Sequence, residues 1–187
     1  PIHVRSTFTN EEGTIIREES TLEGNNCIIK GVAQDTNTAR ISVLNVKNIP
    51  GIAYKVFQSL ADDNIDVDMI VQSVQTSNDN MTDIVFTINS ADLNDARKSL
   101  EKLKTEGLIP EVVYDDDTAK ISVVGAGMLG TPGIAARMFG ALGSVGINIL
   151  IVSTSEISVS CLIKREDVNK AVQAIHREFF EKSEING

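Results

Sequence analysis

The sequence predicts an α+β fold built from two similar βαββαβ units, and three observations lead to this prediction. The chain repeats itself: A-R-I-S-V-L from Ala39 returns as A-K-I-S-V-V from Ala119, and I-P-G-I-A-Y-K-V-F from Ile49 returns as T-P-G-I-A-A-R-M-F from Thr131. Within each copy, stretches of period two and period 3.6 follow one another in the same order. At 187 residues the chain is also long enough for two small domains.

Copy one supplies the element order. Ile41 and Val43 alternate with polar neighbours, as a half-buried strand requires. The Pro-Gly pair at 50–51 starts a helix, because proline is tolerated where a helical N–H has no partner. The other expected elements are a strand over about 66–74, a strand through Ile84, Phe86 and Ile88, a helix through Leu93, Ala96, Leu100 and Leu103, and a strand over 111–114.

Copy two repeats this order but lacks a last strand. Its second strand is expected over 148–153, its third over 157–163, and its second helix through Val168, Ala171 and Ile175. Residues 182–187 are too short and polar for a fourth strand, whereas the apolar segment 27–33 is a spare strand before copy one. We therefore expect the early strand to complete the sheet of copy two.

The predicted domain division follows from these assignments. Residues 1–26 precede the repeat as a tail or linker, and the strand at 27–33 belongs to the second domain. The first domain covers 38–115 and the second 116–182, with the acidic run Asp115-Asp116-Asp117 predicted as a solvated junction.

Composition argues against several classes of function. The net charge of −9 disfavours nucleic acid, because phosphate backbones are bound by fields of lysine and arginine. No apolar run approaches the ~20 residues that cross a bilayer. Cys27 and Cys161 are expected to be reduced thiols, Cys161 in the core, which favours the cytoplasm. His3 and His176 have no partners at metal-ligand spacing, so no metal is expected.

The repeat resembles the ACT domain, and the pair resembles the regulatory half of aspartate kinase. The stretches that carry the resemblance are I-S-V-L-N-V-K-N-I-P-G-I-A, D-V-D-M-I-V-Q-S-V, T-D-I-V-F-T-I, V-V-Y-D-D-D-T-A-K-I-S-V-V-G-A-G-M and N-I-L-I-V-S-T-S-E-I-S-V-S. The resemblance implies two ferredoxin-like domains. It also implies that P-I-H-V-R-S-T-F at the start is the end of the family's catalytic domain.

The resemblance implies feedback regulation rather than catalysis by this segment. Aspartate kinase converts ATP and L-aspartate to 4-phospho-L-aspartate, and its ACT pair senses threonine, lysine or both. ATP would bind only in the catalytic domain, so we expect no cofactor here and no activity from this chain alone. The implied partners are the amino-acid effector, a second copy joined through ACT domains, and the catalytic domain or subunit.

A free amino acid presents a carboxylate and an ammonium group, and the two helix starts suit the carboxylate. Unpaired N–H groups and the positive dipole end lie there, and glycine admits a ligand close to the backbone. Asn48 and Gln72 are candidate acceptors for the ammonium. By resemblance, ligands lie where copy one of one chain meets copy two of another. The full set of candidate effector-binding residues is Asn48, Ile49, Pro50, Gly51, Ile52, Ala53, Asp66, Val67, Gln72, Thr131, Pro132, Gly133, Asn148, Ile149 and Ser155.

Two of these candidates rest on the resemblance in particular. Asp66 stands where relatives often have asparagine, and would supply the negative charge that relatives carry at the position of Asn48. Ser155 lies in the S-T-S-E-I turn, for which the resemblance implies an auxiliary effector or interface role.

Two alternative functions remain at this level. Gly125 to Gly130 matches the G-x-G-x-x-G pattern of dinucleotide sites, although Thr131-Pro132 separates it from the helix and a hairpin follows. The chain could also be an assembly module that senses no small molecule. RNA binding by such a sheet is not expected, because sheets of this topology that bind RNA present aromatic side chains and aromatic residues make up only 4% of this chain.

Overall fold

The computed structural model describes residues 2–4, 14–16, 28–74, 80–126, 128 and 131–181. Its regular elements are, in order, β1 (Ile2–Val4), β2 (Thr14–Ile16), β3 (Ile28–Lys47), α1 (Ile52–Asp62), β4 (Val67–Val74), β5 (Met81–Asn89), α2 (Leu93–Thr105), β6 (Glu111–Ala126), α3 (Ile134–Ser144), β7 (Ile151–Thr154), β8 (Ser158–Lys164) and α4 (Val168–His176). Short 3₁₀ turns at Ser90–Asp92 and Arg165–Asp167 lead into α2 and α4, and a π-helical turn, Arg177–Glu181, follows α4.

The strands form one six-stranded sheet in the order β4-β5-β3-β6-β8-β7, and β1 pairs with β2 separately. Every pairing in the described sheet is antiparallel. β3 and β6, at the centre, run through both units. The two units therefore share a continuous two-stranded ribbon rather than being joined by a linker.

The early strand completes copy two, as the fold class requires. Ile28 pairs with Ala126 and Asp35 with Lys120, so the first half of β3 lies beside the copy-two part of β6. The second half of β3 pairs with β5, from Thr38 opposite Asn89 to Lys47 opposite Met81. The predicted α+β class with two βαββαβ units, the second completed from upstream, is confirmed.

Each unit packs its two helices on one face of its sheet. In copy one, Ile41, Val43 and Phe86 pack with side chains of α1 and α2, and the rings of Phe57 and Phe86 meet edge to face at 5.3 Å. In copy two, strand residues such as Ile121 and Cys161 pack with α3 and α4. The predicted helical stripes thus form the two cores.

The opposite faces of the two units, which carry no helices, contact each other within the chain. Met69 and Val85 of copy one cluster there with Leu150, Ile151 and Leu162 of copy two. Because β4 and β7 are the outermost strands, the sheet must curl for these residues to meet. This contact covers part of the face that a single unit leaves open.

Two predicted features differ in the structure. The acidic run at 115–117 is part of β6, and the Asp115 side chain is only 16% exposed, because Arg40 and Lys164 contact it. The second strand of copy two begins at Ile151 rather than 148, so Asn148 and Ile149 lie before the strand. Of the predicted tail or linker at 1–26 the structure describes only 2–4 and 14–16, and Cys27 lies outside the described residues.

Candidate functional site

The loop between β3 and α1 turns the chain at Gly51. Gly51 has a φ of +89°, in the left-handed region that disfavours side chains, and a Cβ added there would meet nothing within 4 Å. The helix starts at the next residue without a side-chain cap. The loop therefore presents open backbone to the solvent.

The first turn of α1 has free hydrogen-bond donors. The Ile52 N–H donates to Ile49 O at 3.3 Å and the Lys55 N–H to Gly51 O at 3.1 Å. In the described part of the chain, no group accepts a hydrogen bond from the amides of Ala53 and Tyr54. Such amides and the positive end of the helix dipole suit a carboxylate.

The corresponding start of α3 in copy two has the same form. Gly133 has a φ of +96° and no side-chain cap is present. The Arg137 N–H donates to Gly133 O at 2.9 Å, as Lys55 does to Gly51. Thr131 and Pro132 precede this turn, Thr131 half-buried and Pro132 exposed.

The loop candidates and Gln72 lie in the same half of copy one. Gln72 is an exposed residue of β4 opposite Ile84, and Ile84 is opposite Val43 of β3. By ordinary strand spacings, its backbone is roughly 15 Å from that of Asn48. Asn48 itself is half-buried and Ile49 is 51% exposed.

Asp66 and Val67 lie at the other end of copy one. Val67 pairs with Ile88, and Ile88 with Ala39 at the start of the copy-one half of β3. The structure therefore separates these two candidates from the loop at 48–51, by roughly 25 Å along the strands.

Asp66 and Val67 instead line an acidic cleft where the two units meet. The cleft has a volume of about 440 Å³. Lys120 forms an ion pair with Asp68, and the buried Thr87 hydroxyl accepts a hydrogen bond from the Met69 N–H at 3.1 Å. The lining residues are Asp35, Asn37, Thr38, Asp66, Val67, Asp68, Thr87, Ile88, Asn89, Asp92 and Lys120. With four aspartates and one lysine among them, the cleft suits a cationic group.

Sequence reasoning missed most of this cleft. Asp35, the neighbouring pair Asn89 and Asp92, and Lys120 come from three separate places in the chain, and none carries a local motif. Only strand register brings them together. The one available signal was the excess of acidic over basic residues in the whole chain.

The remaining copy-two candidates lie around β7. Asn148 is exposed and Ile149 half-buried, just before Leu150, whose N–H donates to Leu162 O at 2.8 Å. Ser155 caps the tight turn between β7 and β8, since its hydroxyl accepts from the Ser158 N–H at 3.1 Å. Both places are accessible to a partner.

The ribbon keeps the two helix starts apart within one chain. The antiparallel pairing of β3 and β6 runs from Leu44 opposite Glu111 to Ile28 opposite Ala126. The copy-one loop follows the first end and the copy-two loop the second, about 50 Å away along a straight ribbon of this length. One small ligand cannot touch both loops of the same chain.

The glycine pattern at 125–130 lies only partly within the described residues. Gly125 belongs to β6, and its N–H donates to Ile157 O at 2.9 Å, extending the antiparallel ladder. Dinucleotide fingerprints instead join a parallel strand directly to a helix. The geometry around Gly125 does not favour the nucleotide-binding alternative.

The described residues include no group of three or more His, Cys, Asp or Glu side chains that could hold a metal ion. Among the same residues, no helix is long and apolar enough to cross a membrane.

Burial raises the pKa of the Cys161 thiol to about 12, and the Cys161 sulfur lies 4.0 Å from the Met138 sulfur in the copy-two core. Cys161 is therefore a core residue in this structure.

Comparison with known proteins identifies the family to which this architecture belongs. The family model of the ACT domain matches residues 41–103 and 121–179. The chain belongs to the ACT-domain family. It is 41% identical over 182 residues to an aspartokinase from Corynebacterium glutamicum, a match that spans 96% of this chain and 43% of the relative. The ACT pair is thus an aspartate kinase regulatory region, and it spans less than half the length of such curated relatives.

Solved structures agree with this assignment. A ligand-free regulatory subunit of aspartate kinase from Thermus thermophilus is 38% identical with a TM-score of 0.76, covering 81% of this chain and 98% of that one. An aspartate kinase from Synechocystis is 34% identical with a TM-score of 0.77, covering 95% of this ACT pair and 32% of that chain. The first match covers nearly the whole of a separate regulatory subunit.

Proposed function

We propose that this ACT pair binds a free amino acid of the aspartate family and thereby regulates an aspartate kinase. The observation that carries the proposal is the open start of α1, where the amides of Ala53 and Tyr54 have no acceptor among the described residues. A carboxylate fits such a place with no side-chain cation. The ligand's ammonium group then needs oxygen acceptors, which Asn48 and Gln72 can supply.

The complete site is proposed to form between two chains. The copy-one and copy-two helix starts lie at opposite ends of the β3–β6 ribbon. Asn148 and Ile149 of a second copy would therefore complete the pocket at the copy-one loop. By the same arrangement, the copy-two loop from Thr131 to Gly133 would face Asp66 and Val67 of the other chain.

Threonine and lysine are the proposed effectors, through feedback inhibition. At the second pocket, where the copy-two loop of another chain would face Asp66, the acidic cleft supports lysine in particular, because its aspartates attract an aliphatic ammonium group. Binding that favours one packing of the ACT units by ~1–3 kcal/mol would shift the equilibrium between the two packings about 5- to 150-fold.

The kinase reaction itself belongs to the catalytic partner. Phosphoryl transfer from ATP to L-aspartate would take place in a domain or subunit to which this ACT pair is bound, and this chain alone would be inactive. A solved structure of aspartokinase alpha and beta subunits includes a chain that is 38% identical to this one. We expect the assembly to work in the cytoplasm.

Isothermal titration calorimetry with threonine and lysine tests the proposal. Asn48→Ala and Gln72→Ala should each weaken binding by about 10-fold or more, since hydrogen bonds to charged groups are worth ~1.5–3 kcal/mol. The matched control is Asn94→Ala, an exposed asparagine on α2 that makes no side-chain hydrogen bond within the described structure. Absence of heat with both amino acids at millimolar concentration would contradict effector binding.

An assembly module without sensing is the second candidate. Ile70 (54% exposed) and Val71 (39%) on β4, with Val152 (40%) on β7, place apolar side chains on the two outermost strands. Unpaired edges of this kind invite pairing with another chain. A dimer in light scattering that threonine and lysine neither strengthen nor weaken would favour this candidate.

A further inference from the structure

The end of β3 is irregular just before the effector loop. Val43 pairs with Ile84 and Val46 with Thr82, so two residues of β3 lie opposite the single residue Asp83. The inserted Asn45 has a φ of 53°, and its N–H donates to the Asp83 carboxylate at 2.8 Å. This β-bulge shifts the alternation, so that both Val43 and Val46 are fully buried.

Asn80 then holds the first residue of the loop at two points. The Asn48 N–H donates to the Asn80 backbone oxygen at 2.8 Å. The Asn80 side-chain Nδ2 donates to the Asn48 carbonyl oxygen at 3.1 Å. Both polar groups of the Asn48 backbone are therefore engaged by the one residue that directly precedes β5.

This double contact fixes where the helix start points. Only Ile49 and Pro50 separate Asn48 from Gly51, where the chain turns into α1. Asn80 itself has a φ of 49°, a left-handed conformation that asparagine tolerates better than most residues. Asn80 is exposed, and its side chain makes no other hydrogen bond within the described residues.

We propose that Asn80 is a positioning residue for the effector site, acting through Asn48 and not through the ligand. The inference rests on the proposed function at the copy-one loop. When both hydrogen bonds between Asn80 and the Asn48 backbone (the clamp) are intact, the loop stays in the conformation that directs the amides of Ala53 and Tyr54 towards the carboxylate of the effector. Without it the competent fraction falls, and the apparent affinity falls by the same fraction.

Two variants separate the side chain from the backbone conformation. Asn80→Gly keeps the left-handed backbone and removes the amide, whereas Asn80→Asp keeps the shape and replaces the donor by an acceptor. The matched control is Asn64→Gly, because Asn64 also has a positive φ, 56°, but makes no side-chain hydrogen bond within the described structure. The full ACT pair is used throughout.

The first readout is calorimetric affinity for whichever of threonine and lysine the wild type binds. Both Asn80 variants should bind about 3- to 10-fold more weakly, the range expected for one neutral hydrogen bond. Asn64→Gly should bind as the wild type does. The second readout is amide hydrogen exchange by NMR, where the Asn48 amide should exchange faster in the Asn80 variants while core amides stay protected.

The outcomes distinguish this inference from the function on which it rests. If the wild type binds neither amino acid, the proposed function fails and the positioning role fails with it. If the wild type binds and both Asn80 variants bind equally well, the positioning role alone is refuted. If the Asn80 variants lower the melting temperature and their core amides lose protection from exchange, Asn80 is a general stability residue and the inference is also refuted.

Discussion

Replacing Asp115 by asparagine removes a charge at the crossing point of the two ACT units. One carboxylate oxygen of Asp115 accepts hydrogen bonds from Arg40 at 3.0 Å and from Lys164 at 3.3 Å. Arg40 lies on β3, opposite Asp115 in the ladder, and Lys164 ends β8. Without the carboxylate, the half-buried guanidinium of Arg40, whose Nε has no hydrogen-bond partner within the described residues, loses its counter-charge.

The size of the effect follows from exposure. The Asp115 and Arg40 side chains are 16% and 25% exposed. A surface ion pair contributes ~0–1 kcal/mol, and breaking a buried one costs ~3–5 kcal/mol. This pair is partly buried, so its loss should cost an amount between these two ranges. Lys164 is 43% exposed and adds little. We expect Asp115→Asn to lower the free energy of unfolding by about 2 kcal/mol, or about 4–8 °C in melting temperature for a chain of this length.

Urea denaturation followed by circular dichroism measures this loss. Asp116→Asn is the matched control, because the Asp116 side chain is exposed and makes no ion pair within the described residues, where Arg165 contacts its backbone oxygen. A double-mutant cycle with Arg40→Leu should give a coupling energy of about 1–2 kcal/mol. The reasoning is refuted if Asp115→Asn costs no more than Asp116→Asn, or if the coupling energy is near zero.

Three further outcomes are expected. Gly51→Ala should destabilise the fold by ~1 kcal/mol and weaken effector binding, because a side chain is strained at a φ of +89°. As a contrast, Gly140→Ala should stabilise the fold by ~0.5–1 kcal/mol, because Gly140 lies inside α3 with free space around it. Met138→Ala should cost ~2–5 kcal/mol, since Met138 is fully buried in the copy-two core. In a Cys27→Ser background, Cys161 should resist alkylation at pH 8 until the protein unfolds, because its pKa is raised to about 12.

The Cys161 shift also predicts the direction of a pH effect. Between the ordinary thiol pKa of 9.0 and about 12, the unfolded chain loses this proton and the folded chain keeps it, so stability falls as pH rises through that window. Cys161→Ala should make this slope shallower, and the burial that raises the pKa of Tyr114 should leave part of it in place. Equal alkylation rates in native and unfolded protein, or equal stabilities of Gly51→Ala and Gly140→Ala, would contradict the respective predictions.

The repeat, the element order and the two helix starts could be predicted from the sequence because each depends on neighbouring residues. The alternation at Ile41 and Val43 marks a strand wherever that strand is placed, and Pro50-Gly51 marks a helix start through backbone chemistry alone. The spare strand before copy one was predictable for a simple reason. Copy two lacked a strand that its fold required.

Much of the candidate site could not be found in this way, because strand register over long separations decides it. The sequence predicts that Asp115 belongs to a solvated junction, whereas the structure buries most of its side chain because Asp115 lies opposite Arg40. Asp66 was predicted to supply the charge that relatives carry at the position of Asn48, and only the register of β4 shows that, within one chain, Asp66 lies at the opposite end of copy one from the loop.

The sequence by itself determined which segments are strands and helices and where free amides begin a helix, since periodicity and turn chemistry are local. Only the tertiary structure decided that the two helix starts lie at opposite ends of one ribbon and that Asn80 holds Asn48. Those relations depend on the β-bulge at Asn45 and on the pairing of β3 with β5 and β6, which join residues far apart in the chain.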